Sequence, residues 1–242
     1  MNKVVDFSIQ KVVAGPAQKL MYLLSHGFSL RMVLHSELIS EINQNQLLAA
    51  VLVPEDAKDS IAGMTGFETA TAEFKKSRLQ MTLADVRRYL KEPIRENAAL
   101  WSRHLYLANG VAGSFAKYRA HANYAMHKVF FQSPALHGML NSIDRSSHRS
   151  AVIRKVLIEH KPDLLISTYP VTSFEVTALF EAQSLGIPTV GHLLSWDNIT
   201  CKGRFPAVPD YFVSWGPVMT AELQEHYDVP RERVFELSLI HI

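Results

Sequence analysis

The segment Ser195-Trp196-Asp197-Asn198-Ile199-Thr200-Cys201-Lys202-Gly203-Arg204 concentrates more chemically capable side chains than any other stretch of this 242-residue chain. It offers a carboxylate, an amide, two hydroxyls, two cations and an indole in one short loop. Asp197 can serve as a general base or hold a sugar hydroxyl. Lys202 and Arg204 can neutralise phosphate oxygens, the arginine in bidentate fashion. The competing reading is structural: Asp197-Asn198 makes a turn and Trp196 fills the rim of the core. Residue types alone leave both open.

Other chemistry is excluded more firmly. No G-x-G-x-x-G or Walker A string occurs, so the usual dinucleotide and nucleoside-triphosphate fingerprints are absent. The 11 histidines are scattered without H-E-x-x-H, so no metal is expected. The one cysteine, Cys201, excludes an internal disulfide and fits a reducing setting. It reads as a plain loop cysteine beside Lys202. Ser25-His26 and Ser147-His148 lack a nucleophile elbow and do not read as triads. His192 falls on an apolar run and reads as a core histidine.

The elements that would position the Ser195–Arg204 segment are clearest in the last third. Short apolar runs at Leu164–Thr168, Thr189–Leu194, Tyr211–Trp215 and Arg233–Leu237 look like buried parallel strands. Helical signals separate most of them. Ser150–His160 has helical spacing and stops at Pro162. Thr172-x-x-Glu175 is a capping-box pattern whose helix ends at Gly186, with Pro188 beyond. Gly216-Pro217 opens another helix, ending before Pro230. This alternation, repeating roughly every two dozen residues, predicts a Rossmann-like, doubly wound parallel α/β sheet.

The start of the chain repeats the logic less cleanly. Val4–Ile9 is expected to be a strand, followed by a loop at Gln10–Pro16 and a helix over Ala17–His26 that Gly27 ends. Leu30–His35 and Leu47–Val53 read as two more strands, joined by a short helix near Glu37–Asn43. Asp56–Met81 reads as an irregular passage into a helical excursion over residues 82–149. There Thr82-x-x-Asp85 looks like a capping box, with Leu83, Val86 and Leu90 on one face, and a second helix starts at Pro93. The aromatic and basic stretch Trp101–Phe131 fits two roles: a surface for a membrane or lipid-linked acceptor, or a core-packed helical pair with a solvated cationic face.

Composition sets outer bounds. At 48% hydrophobic and 20% charged, with 11 Gly and 11 Pro, the chain is neither disordered nor low-complexity. The longest apolar run, Leu47–Val53, falls far short of the ~20 residues that span a bilayer. A formal charge of +2 predicts no nucleic-acid partner.

In parallel sheets of this kind ligands bind where strand carboxyl ends meet helix N-termini. That rule selects Gln10–Gly15, Thr168–Ser173, Ser195–Arg204 and Trp215–Pro217. Within this frame Pro162–Pro170, Gly186-Ile187-Pro188-Thr189, Ser195-Trp196-Asp197-Asn198 and Asp210–Gly216 together resemble the N-terminal domain of GT-B-type glycosyltransferases. The bacterial surface-polysaccharide branch and the polyglycerolphosphate transferases share the pattern. The resemblance covers about Ser150–Phe235, is weak over Met1–Val53 and is absent in the middle.

The resemblance implies sugar transfer from a nucleotide sugar, a substrate rather than a cofactor, to a glycan or lipid-linked acceptor in polysaccharide synthesis. It implies no bound cofactor, while the single cysteine points to a cytoplasmic setting and the Trp101–Phe131 stretch allows peripheral contact at the inner membrane face. It makes Asp197 the catalytic carboxylate. Gly15, Thr168, Pro170, Thr172, Ser195, Trp196, Asn198, Thr200, Lys202 and Arg204 become its substrate-binding partners. It also implies a second, C-terminal nucleotide-sugar domain. The chain is therefore expected to be one GT-B N-terminal domain, with 237–242 a non-native tail and no turnover alone. Glycerol phosphate transfer, nucleotide-sugar epimerisation and a non-catalytic sugar- or partner-binding module remain as alternatives of the same fold.

Overall fold

The computed structural model describes residues 19–45, 47–90, 94–130 and 133–237. Its strands are β1 (Lys19–Leu23), β2 (Leu48–Pro54), β3 (Glu68–Ala72), β4 (Leu164–Ser167), β5 (Thr189–His192), β6 (Tyr211–Ser214) and β7 (Val234–Glu236). They form one sheet in the order β3-β2-β1-β4-β5-β6-β7, and every pairing is parallel. This is the doubly wound Rossmann-like order, and its direction reverses between β1 and β4.

Alternating side chains feed two cores. From β1, Met21 and Leu23 pack with Ile153 and Leu157 of α7 (Ala151–His160) and with Phe174 and Ala178 of α8 (Ser173–Ser184). Tyr22 and Leu24 point to the other layer, where Val33 of α1 (Gly27–Leu34) and Ile39 of α2 (Leu38–Gln44) cover them. Burying both faces is what makes these strands read as unbroken apolar runs. A third cluster seats α10 (Pro217–Tyr227) on Phe212 through Met219, Leu223 and Tyr227.

Residues of the motifs quoted above fasten strands to one another. Asp163 accepts the Lys19 amide at 2.9 Å, joining the starts of β4 and β1. Asp210 accepts the Thr189 amide at 2.9 Å and its hydroxyl at 2.6 Å, joining β6 to β5. The Trp215 indole N–H donates to the Leu193 carbonyl at 2.7 Å.

The excursion between β3 and α7 is helical: α3 (Arg78–Arg88), α4 (Ala98–Ala108), α5 (Ser114–Phe130) and α6 (Pro134–Ser147). It carries its own clusters, Leu83, Leu90 and Leu140 in one and Tyr89, Ile94 and Leu100 in another. A buried Arg87–Asp144 ion pair joins α3 to α6, and Arg87 also donates to Asn141 at 2.8 Å. Within the Trp101–Phe131 stretch, Trp101 and Tyr124 pack inward, whereas Phe115 and Tyr118 are exposed.

The first half departs from the sequence reading at several points. Lys19–Leu23 is a strand, not part of a helix over Ala17–His26, because its apolar residues alternate between two cores. Gly27 begins α1 instead of ending a helix. The expected strand at Leu30–His35 is the last part of α1 with its C-cap His35, and Val33 is buried while Arg31 and Met32 face water, a one-sided helical pattern. The expected irregular passage holds a 3-10 turn at Glu55–Ile61 and the edge strand β3. The α3 capping box is Ser77 with Gln80, and Thr82 sits inside the helix, its hydroxyl donating to the Arg78 carbonyl at 3.0 Å. The second helix of the excursion begins at Ala98, capped by Asn97, rather than at Pro93, which lies outside the described residues. The expected elements at Val4–Ile9 and Gln10–Pro16, with Gly15, also lie outside them, as do residues 238–242 of the expected tail. Leu237 is described, and its amide donates to the Ser214 carbonyl at 2.8 Å.

His192, on β5, packs edge-on to Tyr22, and burial pushes its imidazole down to about 4. Below an unfolded value near 6.5 the unfolded chain takes up a proton that the folded chain refuses. Stability on this account is complete above pH 6.5 and is lost as pH falls toward 4, by an amount on the order of 2 kcal/mol. His192→Gln should flatten the fall of melting temperature between those pH values. An unchanged slope would contradict a half-buried imidazole held neutral in the fold.

Candidate functional site

The pairing of strands β1 and β4 ends at Leu23 and Ser167, and the loops that follow frame the crevice at the switch point. One buried carboxylate sets both loops. Glu175, fully buried in the first turn of α8, accepts the Ser25 hydroxyl at 2.6 Å and the Ser167 hydroxyl at 2.7 Å. It also accepts the Thr168 amide at 2.9 Å and the Tyr169 amide at 2.7 Å. Burial pushes the Glu175 carboxyl up, and the hydrogen bonds from Ser25, Ser167 and Tyr169 oppose that rise. Thr172 caps α8 by accepting the Glu175 amide, but the Glu175 carboxylate reaches back to β1 and β4 instead of to Thr172. The sequence pattern is therefore a cap turned into a clamp. The Ser25 and Thr172 hydroxyls meet at 2.9 Å and close the floor of the crevice.

Two cavities open above this clamp and share Tyr169 and Lys202. The smaller, about 260 Å³, is lined by His26, Thr168, Ser195, Asp197 and Asn198 among others. The larger, about 650 Å³, runs from Ser25 and Thr172 across to α3 and Arg204. The residues after β5 enter the site through α9 (Asp197–Thr200), a single helical turn. The Asn97 side chain holds its end by donating to the Thr200 carbonyl at 2.9 Å.

Asp197 accepts the Ser195 hydroxyl and pairs with the Lys202 ammonium at 3.1 Å. Burial alone would raise its carboxyl, but the Ser195 hydroxyl and the Lys202 ammonium outweigh burial and hold it below the usual range. Burial works against the Lys202 charge, and contact with Asp197 more than offsets it, so the ammonium is held up. This is a fixed ion pair, ionised at neutral pH, on the wall between the two cavities.

Seven sequence-selected residues come together here: Thr168, Thr172, Ser195, Asp197, Asn198, Lys202 and Arg204. Thr168 is buried, and its hydroxyl donates to the Leu23 carbonyl at 2.9 Å, so only its edge meets the pocket. Trp196, at 65% exposure, stands outside both linings, as do Pro170 and Thr200. Gly15 lies outside the described residues.

His26 was not selected from the sequence. It follows β1, lines the smaller pocket and leans on Tyr169 with ring centroids 5.4 Å apart. Its Nδ1 accepts the Phe28 amide at 3.2 Å, which leaves the proton of a neutral ring on Nε2. The signal was the run Leu20–Leu24 before Ser25-His26-Gly27, a strand followed by a polar loop. Among the described residues no group of three or more His, Cys, Asp or Glu could hold a metal ion. Among them, too, no helix is long and apolar enough to cross a membrane.

No protein-family model and no curated protein matches the sequence. Among solved structures, the chain aligns with Arabidopsis thaliana UGT89C1, crystallised in complex with quercetin, at a TM-score of 0.44 and 12% identity. The alignment covers 93% of this chain and 51% of that one, so the chain spans about half the length of that protein. At this score the likeness carries no argument, and the sheet order rests on the strand pairings themselves.

Proposed function

We propose that the chain forms the acceptor side of a GT-B-type glycosyltransferase, which moves a sugar from a nucleotide donor to a hydroxyl of a glycan or lipid-linked acceptor. The observation that carries this reading is the Asp197–Lys202 pair beside His26 at the switch point, within the segment whose sequence resembles that family. Asp197 takes the proton of the acceptor hydroxyl. The acceptor oxygen bonds to the anomeric carbon as the bond from that carbon to the donor diphosphate breaks, and the nucleoside diphosphate leaves with the electron pair. His26 presents its Nε2 proton to an oxygen of the bound sugar or acceptor. Lys202 and the positive end of the α8 dipole offset the charge that develops on the departing group. The remainder of the donor site belongs, on this reading, to a second sheet domain.

The test is a transfer assay on the full-length gene product with a panel of nucleotide sugars and short glycan or prenyl-linked acceptors. Release of nucleoside diphosphate should depend on the acceptor and coincide with a glycosylated product. Transfer of glycerol phosphate, donor epimerisation without acceptor, or glycan binding with no turnover would each replace this reading with one of its alternatives.

A further inference from the structure

The larger cavity gathers more positive charge than Lys202, the one cation that the proposed transfer employs, would supply. Its lining includes Lys76, Arg87, Arg88, Lys202 and Arg204 against one carboxylate, Asp56. The chain as a whole is nearly balanced, with 25 basic and 23 acidic residues. The cations come from three separate segments: the loop after β3, helix α3 and the loop after β5. Arg87 is committed to Asp144 and is structural.

The other four retain capacity for a ligand. Arg88 contacts Asp85 at 2.5 Å, but that carboxylate also faces Arg119 at 2.8 Å and Arg103 at 3.5 Å, so one negative charge serves three guanidinium groups. Lys202 shares its charge with Asp197. Lys76 and Arg204 have no ion-pair partner among the described residues, and the Arg204 guanidinium rests over the Tyr227 ring at 5.6 Å, fixed in direction but not neutralised. Burial lowers both Arg87 and Arg88, and Arg204 pushes Arg87, and Arg103 pushes Arg88, further down.

The backbone holds these charges together. Gly203, between Lys202 and Arg204, has φ +87° and lies so close to Arg88 that an added Cβ would sit 3.1 Å from its Cα and amide nitrogen. A side chain at that position would separate the loop from α3 and split the cationic group. Like charges gathered at one cavity cost stability unless a ligand of opposite charge enters.

We infer that this cavity is a binding site for a phosphate or diphosphate group, held by Lys76, Arg88, Lys202 and Arg204. The inference rests on the proposed transferase reading only for the source of that group. It is either the diphosphate of the donor or a phosphate carried by the acceptor.

Calorimetric titration of the 242-residue protein with inorganic pyrophosphate tests it without any turnover. Pyrophosphate should bind, and more weakly as salt rises, because the contacts are ionic. The double variant Lys76→Gln with Arg204→Gln should weaken binding about tenfold or more. Asp56→Asn removes the cavity's one lining carboxylate and should tighten binding, a gain that misfolding cannot imitate. UDP binding more tightly than pyrophosphate would assign the site to the donor. Geranyl pyrophosphate binding more tightly would assign it to a phosphate-bearing acceptor. No binding at millimolar pyrophosphate, equal binding of sulfate, or affinity unchanged in both variants would overturn the site. Pyrophosphate binding to the 242-residue protein, together with no transfer by the full-length gene product in the assay above, would overturn the functional reading and leave the site standing.

Discussion

Glu175→Ala should destabilise the fold by about 3–5 kcal/mol, because it leaves buried donors without an acceptor. The Thr168 and Tyr169 amides cannot turn away, since both belong to the backbone leaving β4. The Ser25 and Ser167 hydroxyls can rotate, so they account for less of the loss. For a chain of this size the change corresponds to a fall in melting temperature of roughly 10 °C or more. Glu175→Gln tests the same point with the shape kept. Its amide N–H₂ would face donors where the carboxylate accepted, so it should also destabilise, by about 1–3 kcal/mol. Ser25→Ala removes one hydroxyl and should cost about 1 kcal/mol. Thermal and urea denaturation read all three. A Glu175→Ala protein melting within a degree or two of wild type would show that water replaces the clamp and that the crevice is set by something else.

The Glu175 clamp also shows which parts of the site could be read from residues. Thr172-x-x-Glu175 gave the start of α8 correctly, because capping depends on local spacing. The destination of the carboxylate did not follow, since it depends on Ser25, 150 positions away and unplaceable without the sheet order. Strands β4 to β7 were legible because burial on both faces leaves continuous apolar runs between clear stop signals. Strand β1 was not, as a five-residue run such as Lys19–Leu23 suits a helix turn and a strand equally well. That one error hid His26, whose importance comes only from standing at the end of a central strand. β3 was hidden for a different reason. Its buried residues are Ala70 and Ala72, too small to give a strand signal at a sheet edge. The Ser195–Arg204 segment stood out by composition, yet its neighbours on α3 did not. Arg88 looks like any helix-surface cation until Gly203 packs against it.

On the proposed transferase reading, with Asp197 as general base, Asp197→Asn should lower turnover by about 10²-fold, the lower end of the range for loss of such a group. The lower end follows from the environment of this carboxylate. With Ser195 and Lys202 holding it below the usual range, Asp197 is ionised at working pH but only weakly basic, so it has less catalysis to lose than a carboxylate tuned upward. The same contacts fix the pH profile. Wild-type kcat/KM should stay level on the acid side until below the ordinary carboxylate range. Lys202→Met removes the opposing charge, so the Asp197 carboxyl rises and the acid limb should move to higher pH. Asp197→Asn should abolish that limb. A loss expressed in KM with kcat unchanged would make Asp197 a residue that holds substrate equally in ground and transition states. Lys202→Met could lower activity by disturbing the loop alone, but a purely structural role would leave the position of the acid limb where it was. Wild-type kinetics in a folded Asp197→Asn protein would reduce α9 to a turn and remove Asp197 from the general-base role.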